Sequence, residues 1–309
     1  MIRVLKHSLF GFFATSCLAA TCWRNTSCTF PEEPAFPGPW ERYIHAPKTR
    51  NPGPARVLSL ATLQEVNHSL GTLTLDRNGS GYVFDFGVEV GGISKLRYTL
   101  EGDAATLGLA WTEAKDYVGY TSDTSNGNFR GKGGSLLSPD GALLATLAPG
   151  TSTYEVPVER LRGGFRYLVV YLLTNGTSRL DIEDVSVEIV FQPTWSNLRA
   201  YQGYFYSDDD ELNRIWYSGA YTLQTNSAPT TTGRVATSRI TSGGWLNNAT
   251  AGIGASVVLD GAKRDRWIWP SDTGVALPSA FYSTGDLESA RNSLQTLYDN
   301  QVRGAQLGR

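Results

Sequence analysis

The sequence contains little histidine and no large excess of charge of either sign. Three of its 309 residues are histidines, and beyond the first 20 residues only His45 and His68 remain, both in the N-terminal part. A Ser-His or Cys-His nucleophile is therefore hard to assemble in the C-terminal part, and carboxylates must carry out any acid–base chemistry. The net charge of −2, with 18% charged residues, provides no basic face. We therefore expect no nucleic-acid partner and a ligand that is neutral or weakly charged.

The chain also lacks a long hydrophobic run at its start. Residues 1–20 combine Arg3 and Lys6, an apolar stretch from Ser8 onward, and small residues near Ala19, which is the pattern of a signal peptide. The apolar stretch of about a dozen residues is shorter than the roughly 20 that span a bilayer. We therefore expect a secreted, extracellular protein with no membrane association after cleavage.

Cysteine is scarce as well. Beyond the signal peptide only Cys22 and Cys28 remain. In an oxidising compartment a pair this close is expected to close a small disulfide loop rather than bind a metal, and we expect neither a metal nor a cofactor. The same compartment would allow N-glycosylation at the Asn-x-Ser/Thr sequons, which begin at Asn25, Asn67, Asn78, Asn175 and Asn248.

Proline content and strand periodicity divide the rest of the chain. Residues 21–54 contain seven prolines, too many for a regular element, and are interpreted as an extended N-terminal arm. Residues 55–198 contain short alternating runs separated by turn residues, which predict the antiparallel strands of a two-sheet β-sandwich. The nearly continuous apolar run at 165–173 predicts a central strand, and a phase slip at 183–184 predicts a β-bulge. Such a sandwich is usually structural or carbohydrate-binding.

Residues 199–309 show helical periodicity instead. A first amphipathic helix is predicted to begin after Ser207 and an acidic turn at 208–210. A second is predicted to place on one face Leu287, Ala290, Leu294, Leu297 and Tyr298. Because roughly a hundred residues cannot close a large helical barrel, we expect each helix to leave its apolar face without a partner. The chain is interpreted as cut short.

The densest polar cluster lies at 259–272, with three Asp, one Lys, two Arg and two Trp. Hydrolysis of a glycosidic bond needs a carboxylic acid that protonates the leaving oxygen and a second carboxylate that faces it. Aromatic rings and charged groups commonly bind the sugar around them. This segment provides most of those groups. A solvated loop whose Asp and Arg side chains pair with one another is the alternative that the residues leave open.

Several runs of the sequence resemble glycoside hydrolase family 78, the α-L-rhamnosidases of fungal type. They lie in the helical part at 203–207, 210–217, 259–272 and 278–287, and in the sandwich at 84–87, 91–92 and 165–167. The resemblance covers roughly residues 40 to 300. It implies a β-sandwich domain followed by the incomplete beginning of an (α/α) six-fold barrel of the six-hairpin glycosidase type. The implied reaction is inverting hydrolysis of terminal α-L-rhamnose from a rhamnose-containing oligosaccharide or glycoside.

The resemblance also implies roles for individual residues. Carried over by position, Asp260, Arg264 and Asp272 match residues that hold the sugar hydroxyls, and Trp269 matches an aromatic wall. The family motif has Arg-Asp-Glu followed by a basic residue, with the Glu as general acid, whereas here Asp265 is followed directly by an arginine. Asp265 is left as the candidate acid, although arginines on both sides would stabilise its carboxylate, which is unfavourable for a proton donor.

A second departure concerns the general base. Family members continue into later helices that carry this base, whereas the present sequence ends at Arg309. Hydrolysis by this chain alone is therefore expected to be very slow or absent. The alternatives are a non-catalytic carbohydrate-binding protein, and another (α/α)-barrel glycosidase or a glycan lyase.

Overall fold

The computed structural model describes residues 22–66, 71–125, 139–234 and 245–301. Over these ranges the strands are β1 (Arg56–Ser59), β2 (Leu73–Leu75), β3 (Gly81–Glu101), β4 (Ala105–Thr112), β5 (Leu143–Leu147), β6 (Gly150–Glu155), β7 (Arg162–Leu173), β8 (Arg179–Ile189), β9 (Ser227–Pro229) and β10 (Ser256–Val258). The α-helices are α1 (Asp210–Asn226), α2 (Pro270–Tyr282) and α3 (Leu287–Asp299). The predicted signal peptide lies outside the described residues.

The long strand β3 belongs to both layers of an antiparallel sandwich. Its first part, 81–85, pairs with β1 and β7, whereas its last part, 92–101, pairs with β6 and β8. The order is therefore β1-β3-β7-β4-β5 in one layer and β6-β3-β8-β2 in the other. Between the two parts the register with β7 shifts, and Gly87 has a φ of 79°. Because glycine adopts a positive φ at no steric cost, the strand can bend here. The sandwich-like part of the predicted fold is confirmed.

Strand β7 is central, as its apolar sequence predicted. It lies between β3 and β4, and both of its faces are covered. Leu168, Val170 and Leu172 enter the main core, while Val169 and Tyr171 enter a smaller cluster beneath the loops on the outer face. A strand buried on both sides needs apolar residues at every position, which explains why it lacks the alternation of its neighbours.

The predicted bulge in β8 is also present. Arg97 of β3 pairs with Asp184 and the next residue, Tyr98, pairs with Ile182, so Glu183 is left out of the register. Because of this extra residue, the apolar side chains before and after the bulge all point into the core. The alternation of apolar and polar residues in the sequence therefore shifts by one position here.

The N-terminal arm is fastened to the segment that follows β8. Cys22 and Cys28 form a disulfide with a Cα–Cα distance of 5.6 Å. The amide of Trp23 donates to the carbonyl of Pro193 (3.0 Å), and the ring of Phe30 stacks on that of Trp195 with centroids 3.6 Å apart. The disulfide loop therefore lies directly over the connection between the sandwich and the helices.

Arg50 binds the same connection from the other end of the arm. Its Nη1 donates to the carbonyls of Ile189 (2.9 Å) and Phe191 (3.2 Å), and its Nη2 donates to those of Gln192 (2.9 Å) and Trp195 (2.6 Å). A planar guanidinium can satisfy several carbonyls of one chain segment at once, which an ammonium cannot do in the same geometry. Burial lowers the pKa of Arg50 to about 10, and the side chain stays charged at neutral pH.

We expect Arg50→Met to lower the free energy of unfolding by about 2–4 kcal/mol, because four carbonyls lose their hydrogen-bond donors. Arg50→Lys should recover only a small part of this loss. Chemical denaturation monitored by tryptophan fluorescence measures both. The matched control is Arg77→Met at an exposed position, which should change stability by less than about 0.5 kcal/mol. Full rescue by lysine would contradict the proposed geometry.

Helix α1 joins the sandwich to the C-terminal part. Its N-cap is Asp209, whose carboxylate accepts from the amides of Glu211 (2.9 Å) and Leu212 (3.2 Å), so the helix begins slightly later than the predicted cap at Ser207. Tyr217 and Ala220 are buried in the sandwich core. Asp209 is the N-cap because its carboxylate reaches two helix amides that have no other partner. The hydroxyl of Ser207 instead accepts from the amide of Asp209, in the turn before the helix.

The apolar face predicted for α3 is largely exposed among the described residues, whereas α1 packs part of its apolar face on the sandwich core. Leu287 and Tyr298 of α3 are 54% and 72% exposed, whereas the buried side of this helix is polar. Ser289 Oγ donates to Ser256 Oγ (2.7 Å) and Asn292 Nδ2 donates to the carbonyl of Ser256 (2.9 Å) in β10. Hydrogen bonds therefore hold α3 in place. Helix α2 was not predicted as an element of its own. No helix of the described ranges is long and apolar enough to cross a membrane.

Candidate functional site

An open cavity of about 820 Å³ lies between α1 and α2. Trp216 and Leu223 of α1 line one side, and Val275 and Tyr282 of α2 line the other. The two polar side chains that matter most here are Asp260, which follows β10, and Asp272, in the first turn of α2. Two of the predicted sugar-binding residues therefore face the same concavity, although most of its wall is apolar.

Asp260 is the carboxyl whose environment is most altered within this cavity. Burial raises its pKa from 3.8 to about 6, and the charges of Asp265 and Asp272 act in the same direction, while the amide of Trp267 opposes the shift. That amide donates to Asp260 Oδ1 at 3.0 Å. A carboxyl with a pKa near 6 can be a proton donor or a hydrogen-bond acceptor at ordinary working pH, so both roles are open to Asp260.

The residues between Asp260 and Trp267 form a closed loop, which we call the acidic loop (260–267). The amide of Asp260 donates to the carbonyl of Trp267 (2.9 Å), so the ends of the loop are paired. Asp265 and Arg266 have φ values of 53° and 54°, in the left-handed region. Two successive non-glycine residues in this region are strained, and such strain persists only where the surroundings hold the backbone firmly.

The acidic loop is held against the sandwich by Lys263. Its Nζ lies 3.0 Å from Glu113 Oε1 and 3.0 Å from Asp123 Oδ2, and the lysine side chain is only 9% exposed. Gly163 of β7 lies beneath the loop, and a Cβ at this position would be 1.7 Å from the carbonyl oxygen of Ala262. Only glycine permits so close an approach of the loop to the strand.

Arg266 and Arg234 hold the loop from within. Arg266 is fully buried, and it donates to the carbonyl (3.0 Å) and hydroxyl (3.0 Å) of Thr232 and to the carbonyl of Ala262. Arg234 Nη2 donates to the carbonyl of Lys263 (3.2 Å). Arg266, which directly follows Asp265, therefore has a structural role. The alternative of a fully solvated loop does not fit these buried contacts.

The other predicted site residues, Arg264 and Asp265 on the acidic loop and Trp269 just after it, do not line the cavity. Arg264 is exposed, and Asp265 is half-buried. Trp269 is 46% exposed and stacks on Trp267, with ring centroids 6.2 Å apart. Within the described residues, the structure thus brings Asp260 and Asp272 to one cavity and leaves the predicted acid and the predicted aromatic wall outside it. No group of three metal-binding side chains is found in the part of the chain that is described.

The sequence did not indicate two titratable groups that come from distant segments, Glu89 near Lys263 and His45 against α1. Burial raises the pKa of Glu89 in β3 to about 7, and the charge of Glu113 adds to this, while Lys263 opposes it. His45 Nε2 lies 3.3 Å from Ser218 Oγ of α1, although a Ser-His pair in the helical part was not expected. Burial and nearby arginines lower the pKa of His45. No local motif in the sequence could have indicated these contacts.

Four of the five predicted glycosylation sites lie within the described residues. The side chains of Asn25, Asn78, Asn175 and Asn248 are exposed. Asn67 lies outside the described residues. Each exposed sequon is accessible to modification, and whether any is modified stays a prediction.

The solved structures that resemble this chain include two rhamnosidases. One is a rhamnosidase from Klebsiella oxytoca with rhamnose bound, with a TM-score of 0.53 and 19% identity, covering 79% of this chain and 42% of that chain. The other is a GH78 family rhamnosidase of Bacillus sp. GL1, with a TM-score of 0.50 and 18% identity, covering 73% of this chain and 18% of that chain. The chain spans less than half the length of either structure.

Sequence comparisons give no further assignment. No protein-family profile matches the chain, and no curated protein sequence matches it. The fold of this chain resembles that of rhamnosidases of glycoside hydrolase family 78, as the sequence motifs predicted. At this level of identity the likeness concerns the fold.

The raised pKa of Asp260 predicts a pH dependence of stability. Because the folded state binds this proton more tightly than the unfolded state, the contribution is fully present below pH 4 and is lost as the pH rises through about 6. The free energy of unfolding of Asp260→Asn, taken relative to that of wild type, should therefore be higher at pH 7 than at pH 4. After allowance for solvent exposure, this relative value should change by on the order of 1 kcal/mol between the two pH values. Urea unfolding at both pH values measures it.

Asp208→Asn, at an exposed position outside the cavity, is the matched control for that experiment. It should give the same difference from wild type at both pH values. If Asp260→Asn behaved like Asp208→Asn, the carboxyl of Asp260 would not have the altered environment described above.

Proposed function

We propose that this chain is the N-terminal portion of a secreted glycoside hydrolase that acts on terminal α-L-rhamnosides by inverting hydrolysis, and that the chain alone is weakly active or inactive. The observation that carries the proposal is the position of Asp260 and Asp272. Both line one cavity, on elements that follow a sandwich whose fold resembles that of known rhamnosidases.

In this proposal the two aspartates bind the hydroxyls of the terminal sugar. An ionised carboxylate accepts from sugar hydroxyls, and a protonated one also donates to a ring or glycosidic oxygen. Trp216, half-buried in the wall of the cavity, supplies an apolar surface for the sugar C–H groups. Trp269 would extend that surface at the rim, and Arg264 would reach the sugar from the exposed side of the acidic loop.

Asp265 remains the proposed general acid. Its position on a rigid loop, in a strained conformation, is typical of functional residues. Its charge acts on Asp260, so the two carboxyls lie near each other. Asp260, with its raised pKa, is the alternative proton donor, and the structural data favour it in one respect, since it faces the cavity.

We further propose that additional helices complete the helical part, as in an (α/α) six-fold barrel. Apolar side chains on the outer face of α3, away from the cavity, support this. Leu287, Leu294 and Tyr298 are 54%, 53% and 72% exposed. Contiguous apolar surface of this kind is usually covered in a stable protein. The general base would come from those helices.

The proposal predicts that the chain binds L-rhamnose and that both aspartates are needed. Asp260→Asn and Asp272→Asn should each weaken binding at least about tenfold, because a charged hydrogen bond to a ligand contributes about 1.5–3 kcal/mol. Isothermal titration calorimetry with methyl α-L-rhamnoside measures this, and Asp208→Asn should bind as wild type. Equal affinity of wild type and both cavity variants would refute the assignment of the cavity.

A non-catalytic carbohydrate-binding protein is the second candidate. The absence of Asp265 from the cavity wall among the described residues favours it. A hydrolysis assay with an aryl α-L-rhamnoside, on this chain and on any version extended at its C-terminus, distinguishes the two. Turnover by the extended version supports the enzyme, and binding without turnover by both supports the second candidate.

Secretion is proposed from the predicted signal peptide and the pairing of Cys22 with Cys28. Expression of the full sequence in a eukaryotic host should release a protein that lacks residues 1–20. Treatment with an endoglycosidase should reduce its mass, since four of the sequons are on exposed asparagines. Intact-mass spectrometry of the culture medium measures both. Retention of an uncleaved chain inside the cells would contradict secretion.

A further inference from the structure

Four aromatic side chains form an exposed cluster far from the acidic loop in sequence. Phe36 and Trp40 come from the N-terminal arm, and Tyr204 and Tyr206 from the segment that leads into α1. The ring of Tyr204 stacks on Trp40 at 4.3 Å and lies 5.2 Å from Phe36, while Tyr206 lies 5.8 Å from Trp40. Phe36, Tyr204 and Tyr206 are 50%, 47% and 46% exposed. We call this group the aromatic platform.

The conformation of the platform is fixed before any ligand arrives. The indole N–H of Trp40 donates to the carbonyl of Phe36 (2.9 Å), and the ring lies directly over Gly38. The amide of Gly38 donates to Glu41 Oε1 (3.0 Å), and prolines on both sides of this glycine restrict the backbone. A surface held in this way loses little conformational entropy on binding.

The platform is also tied to the body of the protein. Arg199 donates to the carbonyl of Glu41 (2.6 Å) and to that of Ile44 (2.6 Å), which anchors the arm behind the rings. On the other side, the amide of Gly203, next to Tyr204, donates to the carbonyl of Ser283 (2.8 Å) at the end of α2. Both halves of the platform thus rest on fixed structure.

The hydrogen-bonding groups around the platform indicate the kind of ligand. Neither hydroxyl of Tyr204 or Tyr206 has a hydrogen bond to any residue that the structure describes. Next to them, Asp210 accepts from Arg214 Nε (2.6 Å) and from the hydroxyl of Tyr43 (2.6 Å). Asp210 is therefore paired, whereas the exposed carboxylates of Asp208 and Glu211 beside it add negative charge to this edge. An anionic ligand would be repelled here, so the surface suits a neutral ligand with many hydroxyls that the phenols can bond.

We propose that the aromatic platform is a second carbohydrate-binding site, which takes a pyranose ring of a neutral saccharide chain. The sugar C–H groups pack on the aromatic faces, and its hydroxyls bond the phenols of Tyr204 and Tyr206. The inference goes beyond the function proposed for the cavity, and only the choice of a rhamnose-containing probe rests on that function.

The position of the platform fits a saccharide that also reaches the cavity. Tyr204 and Tyr206 flank Phe205, whose ring stacks on Trp216 with centroids 6.0 Å apart, and Trp216 lines the cavity. One short segment therefore carries platform residues and packs against the cavity wall. A chain bound at the platform would be held close to the aspartates, which raises its effective concentration there.

The test compares binding of a short α-linked rhamno-oligosaccharide with binding of methyl α-L-rhamnoside. Tyr204→Ala combined with Tyr206→Ala should weaken binding of the oligosaccharide about tenfold, since an aromatic contact contributes about 0.5–1.5 kcal/mol. Binding of the monosaccharide in the cavity should not change. The milder pair Tyr204→Phe and Tyr206→Phe, which keeps the rings, should lose part of the affinity and guards against failure to fold. Tyr117→Ala, at a 72% exposed aromatic residue elsewhere, is the control.

A second measurement separates this inference from the function of the cavity. In NMR spectra the indole N–H signal of Trp40 should shift with the oligosaccharide in wild type and in the double variant Asp260→Asn, Asp272→Asn. If the monosaccharide does not bind but the Trp40 signal still shifts, the platform is supported and the function of the cavity is not. If the monosaccharide binds normally, the Trp40 signal does not shift and the tyrosine variants have no effect, the function of the cavity stands and the platform is overturned. Concentration-dependent dimerisation abolished by the tyrosine variants would also overturn it, because a second copy would then be the occupant.

Discussion

The ion pairs of Lys263 with Glu113 and Asp123 connect the two halves of the described chain at the point where the candidate chemistry lies. They place the acidic loop on the sandwich, and the loop in turn determines where Asp260 stands relative to α2. A nearly buried lysine between two carboxylates is weak evidence for stability, because desolvation offsets much of the attraction. The ion pairs do, however, strongly favour this position of the acidic loop over others, since any displacement of the loop would leave these charges unpaired.

The same arrangement explains why the site is electrostatically unusual. Three aspartates are brought near one another, and the cationic groups of the loop are directed elsewhere. Lys263 contacts the sandwich and Arg266 bonds Thr232, and neither forms an ion pair with Asp260 within the described residues. A carboxyl with carboxylate neighbours and an apolar wall holds its proton more tightly, which is the condition for acid chemistry near neutral pH. The sandwich thus influences the cavity although it contributes no residue to its wall.

Much of the sandwich could be predicted because its signals are local. Alternation along β3, the doubly apolar β7 and the slip at Glu183 each depend on residues a few positions apart. The site was only partly predictable. Resemblance indicated Asp260 and Asp272, but it did not show that Arg266 turns inward or that Trp269 lies outside the cavity. Those outcomes depend on Thr232 and on the course of α2, which no short motif encodes. The contact of His45 with Ser218 joins residues 173 positions apart, and the sequence around neither residue predicts it.

The N-terminal arm has a consequence for the order in which the protein forms. Arg50 and the disulfide loop bind carbonyls that belong to residues 189–195, so the arm has no docking surface until the whole sandwich has been synthesised. At ribosomal speeds of about 5–20 residues per second, Trp23 and Phe30 stay uncovered for several seconds or more. This early segment is thus among the last to acquire its native contacts. Until then its aromatic side chains stay exposed, and the growing chain is prone to aggregation.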